Sequence, residues 1–265
     1  MKDGRVDNQK KYYDGIYAGD KSKHFLKYSN GELLSEAHLF VKNWISENVP
    51  NSGNILDFGC GEADFLGLLY SNSDIRRIGI DFSHVALETA AKRYPFLELV
   101  LGGEEKLSNF ENAMDIVVSF GTIEHLDNPK NTLRKLLDSL KSRGFLILSC
   151  PSFFNVRGII WMALVKLFNV PMSLSDKHFL SLYEFKNWAE EIKLELVDFK
   201  TVNFAPAHGK SFRKDMFKRL TNALNDSGMD SNNVEELIQW VENNSDYFPF
   251  SESSGTEALY FFRKY

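Results

Sequence analysis

One short segment, residues 54–69, constrains the fold of this chain more than any other. It begins with an apolar run, residues 54–58, that is typical of a buried strand, and it ends with apolar spacing typical of a helix packed on a sheet. The turn between them contains Gly59 and Gly61, which lack a Cβ and permit a sharp bend close to a ligand. The segment therefore predicts a strand–turn–helix unit of the kind that holds a nucleoside cofactor.

The residues around the two glycines indicate which cofactor suits this turn. A dinucleotide-binding turn needs a third glycine three residues after the second, and that position is Asp64. Asp57 lies two residues before the first glycine, where a carboxylate suits a sulfonium cation with a free amino group better than a pyrophosphate. An acidic-x-Gly-x-Gly turn resembles motif I of the class I S-adenosylmethionine (SAM) methyltransferases. A glycine-rich turn without a ligand and a nicotinamide dehydrogenase are the alternatives.

After this turn, the hydrophobic pattern predicts strands that alternate with helices. Strands are predicted over residues 77–81, 96–101, 114–120 and 145–149, and amphipathic helices over residues 85–93 and 132–141. The second strand ends at Asp81, where a carboxylate can accept hydrogen bonds from both hydroxyls of a ribose. This alternation predicts a doubly wound α/β sheet.

The ordered set of motifs LDFGCG, IGID, DIVVS, EHL and GFLILSCP resembles class I methyltransferases of the ubiquinone-biosynthesis O-methyltransferase type. The resemblance covers residues 12–152, and the rest more weakly. It implies a sixth strand and an antiparallel seventh, for which residues 193–204 and 257–264 have suitable alternation. The implied fold is a mostly parallel seven-stranded Rossmann-like sheet with an N-terminal helical leader and a helical insertion before the last strand.

The resemblance also implies SAM as the cofactor and S-adenosylhomocysteine (SAH) as its product. In the family, an acid often reads the adenine amino group, and that position aligns with Gly103 here, so Glu104 or its backbone N–H is the substitute. A tyrosine of the leader could cover the adenine or could be an ordinary half-buried aromatic. The predicted cofactor-binding residues are Tyr13, Asp57, Gly59, Cys60, Gly61, Asp81, Phe82, Glu104, Ser119, Phe120 and Gly121.

Two histidines are candidates for the general base that a hydroxyl acceptor requires. His125 is the first choice because it follows the fourth strand, at the edge where open parallel sheets bind ligands. His178 is the second choice, and Asp176 or Glu124 could orient either histidine. A structural role is the alternative for each histidine, and a divalent metal bound by Glu124, His125 and His178 is a further alternative.

Length and composition favour one domain. The chain has 265 residues, of which 43% are hydrophobic, enough for one large α/β domain with an insertion. We expect residues 1–265 to form a single methyltransferase domain, with a leader (10–50), a SAM-binding core (51–152), a lid (153–181) and a helical insertion (205–254). The lid helix has a wide apolar face, which favours contact with the protein's own core or a dimer partner over contact with a membrane surface. The insertion is expected to shape acceptor choice or to form an oligomer contact.

Charge and composition also bear on partners and location. A net charge of −5 without a basic run makes nucleic acid an unexpected partner. We expect a cytoplasmic location, because the two cysteines suggest no disulfide framework and no secretion signal is evident. The expected oligomeric state is a monomer or a homodimer. The lid sequence PSFFNVRG resembles that of methyltransferases of surface-polysaccharide pathways, which implies a sugar or a related small molecule as the acceptor. The alternatives are a quinone or lipid-like phenol at a membrane surface, and a protein that binds SAM without catalysis.

Overall fold

A seven-stranded sheet forms the centre of the computed structural model, which describes residues 13–19, 35–49, 53–69, 75–170, 176–208 and 211–265. The strands are β1 (Gly53–Phe58), β2 (Ile75–Asp81), β3 (Glu98–Leu101), β4 (Met114–Phe120), β5 (Leu140–Pro151), β6 (Leu194–Val202) and β7 (Glu257–Lys264). Their order across the sheet is β3-β2-β1-β4-β5-β7-β6. Only β7 runs antiparallel to its neighbours, β5 and β6, among these strands. This topology confirms the predicted fold.

Helices pack on both faces of the sheet. They are α1 (Glu36–Asn48), α2 (Asp64–Leu68), α3 (His84–Arg93), α4 (Pro129–Ser139), α5 (Val156–Phe168), α6 (Leu182–Ile192), α7 (Ala205–His208), α8 (Phe212–Asp226) and α9 (Val234–Asn243), and residues 13–18 are also helical. Side-chain caps set several of the starts: the Ser83 hydroxyl accepts the Ala86 N–H, and Ser181 and Glu184 form a capping box. The starts of these helices are therefore fixed by local sequence.

Two apolar cores lie on opposite faces of the sheet, because successive strand residues point to opposite sides. Leu56 and Leu146 join the core beneath α4 and α6, whereas their neighbours Ile55 and Ile147 join the core beneath α1 and α2. A strand buried on both faces shows a continuous apolar run, as in β1 and β4. β5 begins at Leu140 rather than at residue 145: Met114 pairs with Leu140 and Ile116 with Phe145, so the extra residues of this irregularity lie in β5.

A third apolar cluster joins the lid helix to the insertion. Trp161 of α5 packs in one cluster with Met216 and Leu220 of α8 and with Ile238 of α9. The insertion therefore lies beside the lid. Within the described part of the chain, no helix is long and apolar enough to cross a membrane.

Candidate active site

A cavity of about 580 Å³ opens at the carboxyl ends of the central strands. Gly59 follows β1, Asp81 ends β2, Phe120 ends β4, and Cys150 lies near the end of β5, and all four line the cavity. The helical segment 13–18, the lid helix and the insertion complete its walls. Open parallel sheets bind ligands at this edge, so this cavity is the candidate site.

The turn after β1 has no room for side chains at its two glycines. Gly59 and Gly61 have φ angles of +78° and +53°, in the left-handed region that favours glycine. A Cβ on Gly59 would lie 2.3 Å from Oγ1 of Thr122, and one on Gly61 would lie 2.7 Å from the hydroxyl oxygen of Tyr17. The backbone of this turn therefore approaches the cavity closely, as a cofactor cradle requires.

Asp81 combines a structural role with free capacity as an acceptor. Its Oδ2 accepts the Gly61 N–H at 2.9 Å and its Oδ1 accepts the Ser83 N–H at 2.8 Å. A carboxylate has about four lone-pair positions, so Asp81 keeps acceptor capacity for a ligand. Burial raises the pKa of Asp81, and hydrogen bonds from the backbone at Ser83, Gly61 and Phe82 oppose that rise. The residue holds the glycine turn in place and can still bind a pair of hydroxyls.

Asp57 lies behind the glycine turn rather than on the cavity wall. It is buried, and its Oδ1 has no hydrogen-bond partner among the described residues. Burial, and then the charge of Asp81, raise the pKa of this carboxyl. An unsatisfied buried acceptor indicates a missing donor. A ligand with an ammonium group near the turn fits that requirement, so the residues present are compatible with SAM.

A short 3₁₀ turn, Ile123–His125, places Glu124 and His125 on the wall of the cavity that faces Asp81 and the glycine turn. His125 Nδ1 lies 3.3 Å from Asp176 Oδ1, and both residues line the cavity. The main-chain carbonyl of Glu124 accepts the N–H groups of Lys177 and His178 at 2.9 and 3.1 Å. These two backbone bonds fix the chain segment that carries Asp176. The Glu124 side chain is buried, and burial raises its pKa to about 8.

Three of these side chains could also hold a cation. Glu124, His125 and Asp176 each offer one ligand atom, and these atoms lie within 4.8 Å of one another. Mixed nitrogen and oxygen ligands suit several divalent metals. The metal-ligand set predicted from the sequence included His178. The Nε2 atom of His178 lies 2.9 Å from the carbonyl oxygen of Leu126, and the residue does not line the cavity. Asp176 takes the place of His178 in the candidate ligand set, and it lies beside His125, one of the two histidines that it was predicted to orient.

The structure divides the remaining predicted residues into two groups. Tyr13, Phe82, Phe120 and Gly121 line the cavity, and the Tyr13 ring lies 5.7 Å from Phe82 and 6.2 Å from His125. In this arrangement the leader tyrosine covers the space between the end of β2 and the candidate base.

Glu104, Cys60 and Ser119 do not line the cavity. Glu104 pairs with Lys135 of α4 at 2.7 Å and accepts a hydrogen bond from Thr132. The Ser119 hydroxyl donates to the carbonyl of Phe58, and Cys60 is buried. The Glu104 carboxylate is bound by α4 and does not line the cavity, so an adenine contact at this position would fall to the backbone N–H, the other predicted option.

The cavity residues that were absent from the predicted set include Tyr17, Arg157, Trp161 and Arg219. Tyr17 is four positions after Tyr13, so the two share a helix face. Arg157 interrupts the apolar pattern of the lid helix, which was a visible signal. Arg219 gave no local signal, because its position depends on the packing of α8 against the lid.

The strand order, the glycine turn after β1 and the acid at the end of β2 define the class I methyltransferase fold. Residues 56–148 match the family model for the methyltransferase domain Methyltransf_11. Residues 56–148 are therefore similar in sequence to a methyltransferase domain, within a sheet that has the class I methyltransferase topology.

Individual relatives agree with this assignment. The chain is 28% identical to a probable S-adenosylmethionine-dependent methyltransferase of Mycobacterium tuberculosis, over 37% of this chain and 36% of the relative. It is 30% identical to the mitochondrial ubiquinone biosynthesis O-methyltransferase of Candida albicans, over 61% of this chain and 54% of the relative. The chain thus spans between about a third and just over half of the length of these two relatives.

A solved SAM-dependent methyltransferase from Archaeoglobus fulgidus shares the fold, with a TM-score of 0.56 and 18% identity. The likeness covers 92% of this chain and all of that protein (100%). The match extends beyond the region of the family model, which places the lid and the last two strands within the same fold.

Proposed function

We propose that the protein transfers the methyl group of SAM to an oxygen of a small polar acceptor. The observation that carries the proposal is one cavity with two unlike walls. Asp81 and the glycine turn form the wall suited to a nucleoside, and His125 with Asp176 forms a wall suited to proton removal. Methyl transfer to a hydroxyl needs both, because donor and acceptor must be aligned and the acceptor must lose a proton.

The chain's own residues have distinct roles in this proposal. When bound, SAM supplies an electrophilic methyl group on a sulfonium. Asp81 would accept the ribose hydroxyls, and the buried Asp57 carboxyl, whose Oδ1 has no hydrogen-bond partner among the described residues, would attract the positive end of the cofactor from behind the glycine turn. His125 takes the acceptor proton, and Asp176 holds the imidazole in the orientation and tautomer that this task requires.

The residues that line the acceptor end of the cavity, together with the lid, support a proposal for the class of acceptor. A sugar, a sugar nucleotide or a related surface-polysaccharide precursor fits a cavity lined by polar groups from Asp176, Asn203 and Thr256. The Candida albicans relative is named a ubiquinone biosynthesis enzyme, and α5 exposes Ile159, Leu167 and Phe168. These two observations favour a quinone or lipid-like phenol as the second candidate acceptor.

The proposal is tested in two stages. First, titration calorimetry should show SAH binding with micromolar affinity and no binding of NAD. Second, transfer from methyl-labelled SAM should be measured against panels of sugar nucleotides, free sugars and catechols, followed by mass spectrometry of the product. Labelled product from a sugar panel supports the proposal, and product from catechols alone moves the assignment to the second candidate. SAH binding without any transfer, even to a small-molecule extract, would indicate a SAM-binding protein without catalysis.

A further inference from the structure

We infer that the acceptor carries an anionic group, a phosphate or a carboxylate, bound by Arg157 and Arg219 at the lid end of the cavity. The inference rests on the proposed function, since it names the acceptor class for the same site. Arg157 lies in the first turn of α5 and Arg219 lies in α8, and both line the cavity. The lid and the insertion thus each contribute one guanidinium.

The two arginines share a single carboxylate. Arg157 Nε donates to Asp215 Oδ2 at 2.7 Å, and Arg219 Nε donates to Asp215 Oδ1 at 2.8 Å. Burial opposes ionisation, but the two guanidiniums lower the pKa of Asp215. An ionised Asp215 balances one of two positive charges and positions both arginines.

Most of the hydrogen-bonding capacity of the pair is unused. A guanidinium has five N–H donors, and Nε supplies only one of them. Among the described residues, no acceptor bonds the Nη atoms of Arg157 or Arg219. The Arg157 side chain is only 8% exposed, so donors left without a partner there are costly. Planar guanidinium forks match the geometry of phosphate and carboxylate oxygens, which are the missing acceptors.

Trp161 supplies the remaining part of the subsite. The guanidinium carbons of Arg157 and Arg219 lie 5.1 and 6.0 Å from its ring centroid. Its indole Nε1 is buried without a hydrogen-bond acceptor among the described residues. A buried donor beside two under-used guanidiniums indicates a site built for an acceptor-rich group.

A purely structural ion-pair network is the competing explanation. It accounts for the contact between α5 and α8 but not for two arginines that line the same cavity as His125. Asp176 also acts electrostatically on Arg157, and it lies 3.3 Å from His125. Asp176 is therefore close enough to act on both Arg157 of the anion subsite and the candidate base. An acceptor whose charged group is bound by the arginines can present a hydroxyl to His125, because all three residues line one cavity.

The test uses the full chain saturated with SAH and inorganic phosphate as the probe. Binding is followed by calorimetry and by tryptophan fluorescence, at constant ionic strength, with acetate as the carboxylate probe. Arg219→Gln should raise the phosphate dissociation constant at least about tenfold, because charged hydrogen bonds are lost. Lys218→Gln is the matched control: it removes the same charge from the neighbouring exposed position of α8 and should change the constant less than about twofold.

The outcomes separate the two proposals. Saturable phosphate binding that depends on Arg219 supports a phosphorylated acceptor, and the same behaviour with acetate alone supports a carboxylated one. No saturable binding of either anion, or equal effects of both substitutions, would overturn the inference while SAH binding persisted. Failure of SAH to bind would count against the proposed function instead. Arg157→Gln is a second variant, used once circular dichroism shows that it folds.

Discussion

The Nδ1 atom of His125 lies 3.3 Å from Oδ1 of Asp176, which joins the turn after β4 to the chain that follows the lid. Two backbone hydrogen bonds to the Glu124 carbonyl hold this second segment in place. A carboxylate beside one ring nitrogen orients a histidine and selects its tautomer. The relationship gives His125 the position of a base and Asp176 that of a positioning residue.

The first prediction concerns this pair. His125→Ala should lower kcat by about 10²–10⁴-fold, because the acceptor proton loses its base. Asp176→Asn should lower kcat by a smaller factor, and Asp176→Glu should recover part of the loss. SAH affinity, measured by calorimetry, should stay within about twofold in all three variants, because the pair serves the acceptor.

His178→Ala is the control for the first prediction, since the His178 ring bonds the Leu126 carbonyl and does not line the cavity. It should retain most of the wild-type kcat. A larger loss in His178→Ala than in His125→Ala would move the base to His178. Loss of activity in EDTA, restored by Mg²⁺ or Mn²⁺, would instead make Glu124, His125 and Asp176 ligands of a metal that acidifies the acceptor hydroxyl.

The second prediction concerns the ribose acceptor. Asp81→Asn keeps the shape of the side chain but loses acceptor capacity toward two hydroxyls and toward the Gly61 and Ser83 N–H groups. SAH binding should weaken by roughly 1–3 kcal/mol, about 5- to 150-fold. Asp115→Asn, at the opposite end of the sheet where Asp115 binds Lys141 and the Asn54 N–H, should leave SAH affinity unchanged. Equal affinities in wild type and Asp81→Asn would remove Asp81 from the cofactor site.

Local spacing explains which parts of this site could be predicted. Asp57, Gly59 and Gly61 belong to one turn, whose geometry is set by neighbouring residues. Asp81 follows because the next parallel strand ends at the same edge. The mostly parallel seven-stranded sheet and its antiparallel last strand were predicted through the family resemblance, and the structure confirms them.

Contacts between distant segments explain the parts that could not be predicted. The sequence named Asp176 as a partner for either histidine, and the choice of His125 depends on backbone hydrogen bonds to Glu124 that no periodicity reveals. Glu104 turns away from the cavity because Lys135 and Thr132 of α4 bind it. Arg219 reaches the cavity only because α8 packs on the lid through a separate apolar cluster.

The third prediction concerns the glycine turn. Gly59→Ala should weaken SAH binding and lower the unfolding free energy, because the new Cβ meets Thr122 at 2.3 Å in a left-handed conformation. Gly228→Ala is the matched control: Gly228 has a φ of +68° but nothing within 4 Å of its Cβ position. It should cost only about 1–2 kcal/mol of conformational strain and leave SAH affinity intact. Equal unfolding free energies for the two variants would contradict the role of Thr122.

The fourth prediction concerns pH. His38 of α1 packs 4.6 Å from the ring of Phe120 and 5.5 Å from that of Phe65, and burial lowers its pKa to about 4. Between about pH 6.5 and 4 the unfolded chain binds a proton at His38 that the folded protein does not, so folding stability falls as pH falls. The folding stability that is lost through protonation of His38 at low pH is fully present above about pH 6.5.

Denaturant unfolding at several pH values isolates that contribution. The pH slope of the unfolding free energy should be shallower in His38→Gln than in wild type, by up to about 1.4 kcal/mol per pH unit. His84→Gln replaces an exposed histidine of α3 and should leave the wild-type slope unchanged. Parallel slopes for wild type and His38→Gln would show that His38 protonates equally in the folded and unfolded states.

The fifth prediction separates packing from membrane contact in the lid helix. Trp161 is only 2% exposed and packs against α8 and α9, whereas Leu167 is 73% exposed. Trp161→Ala should destabilise the protein by at least about 3 kcal/mol, because it leaves a cavity in this apolar cluster. Leu167→Glu should change stability by no more than about 0.5 kcal/mol. Both changes in stability are measured by denaturant unfolding.

Vesicle flotation tests the membrane contact directly. The wild-type protein should stay in the soluble fraction when it is mixed with phosphatidylglycerol vesicles. Flotation of wild type that Leu167→Glu abolishes would show that the exposed side of α5 binds a membrane, and it would favour the lipid-like phenol over the sugar as the acceptor.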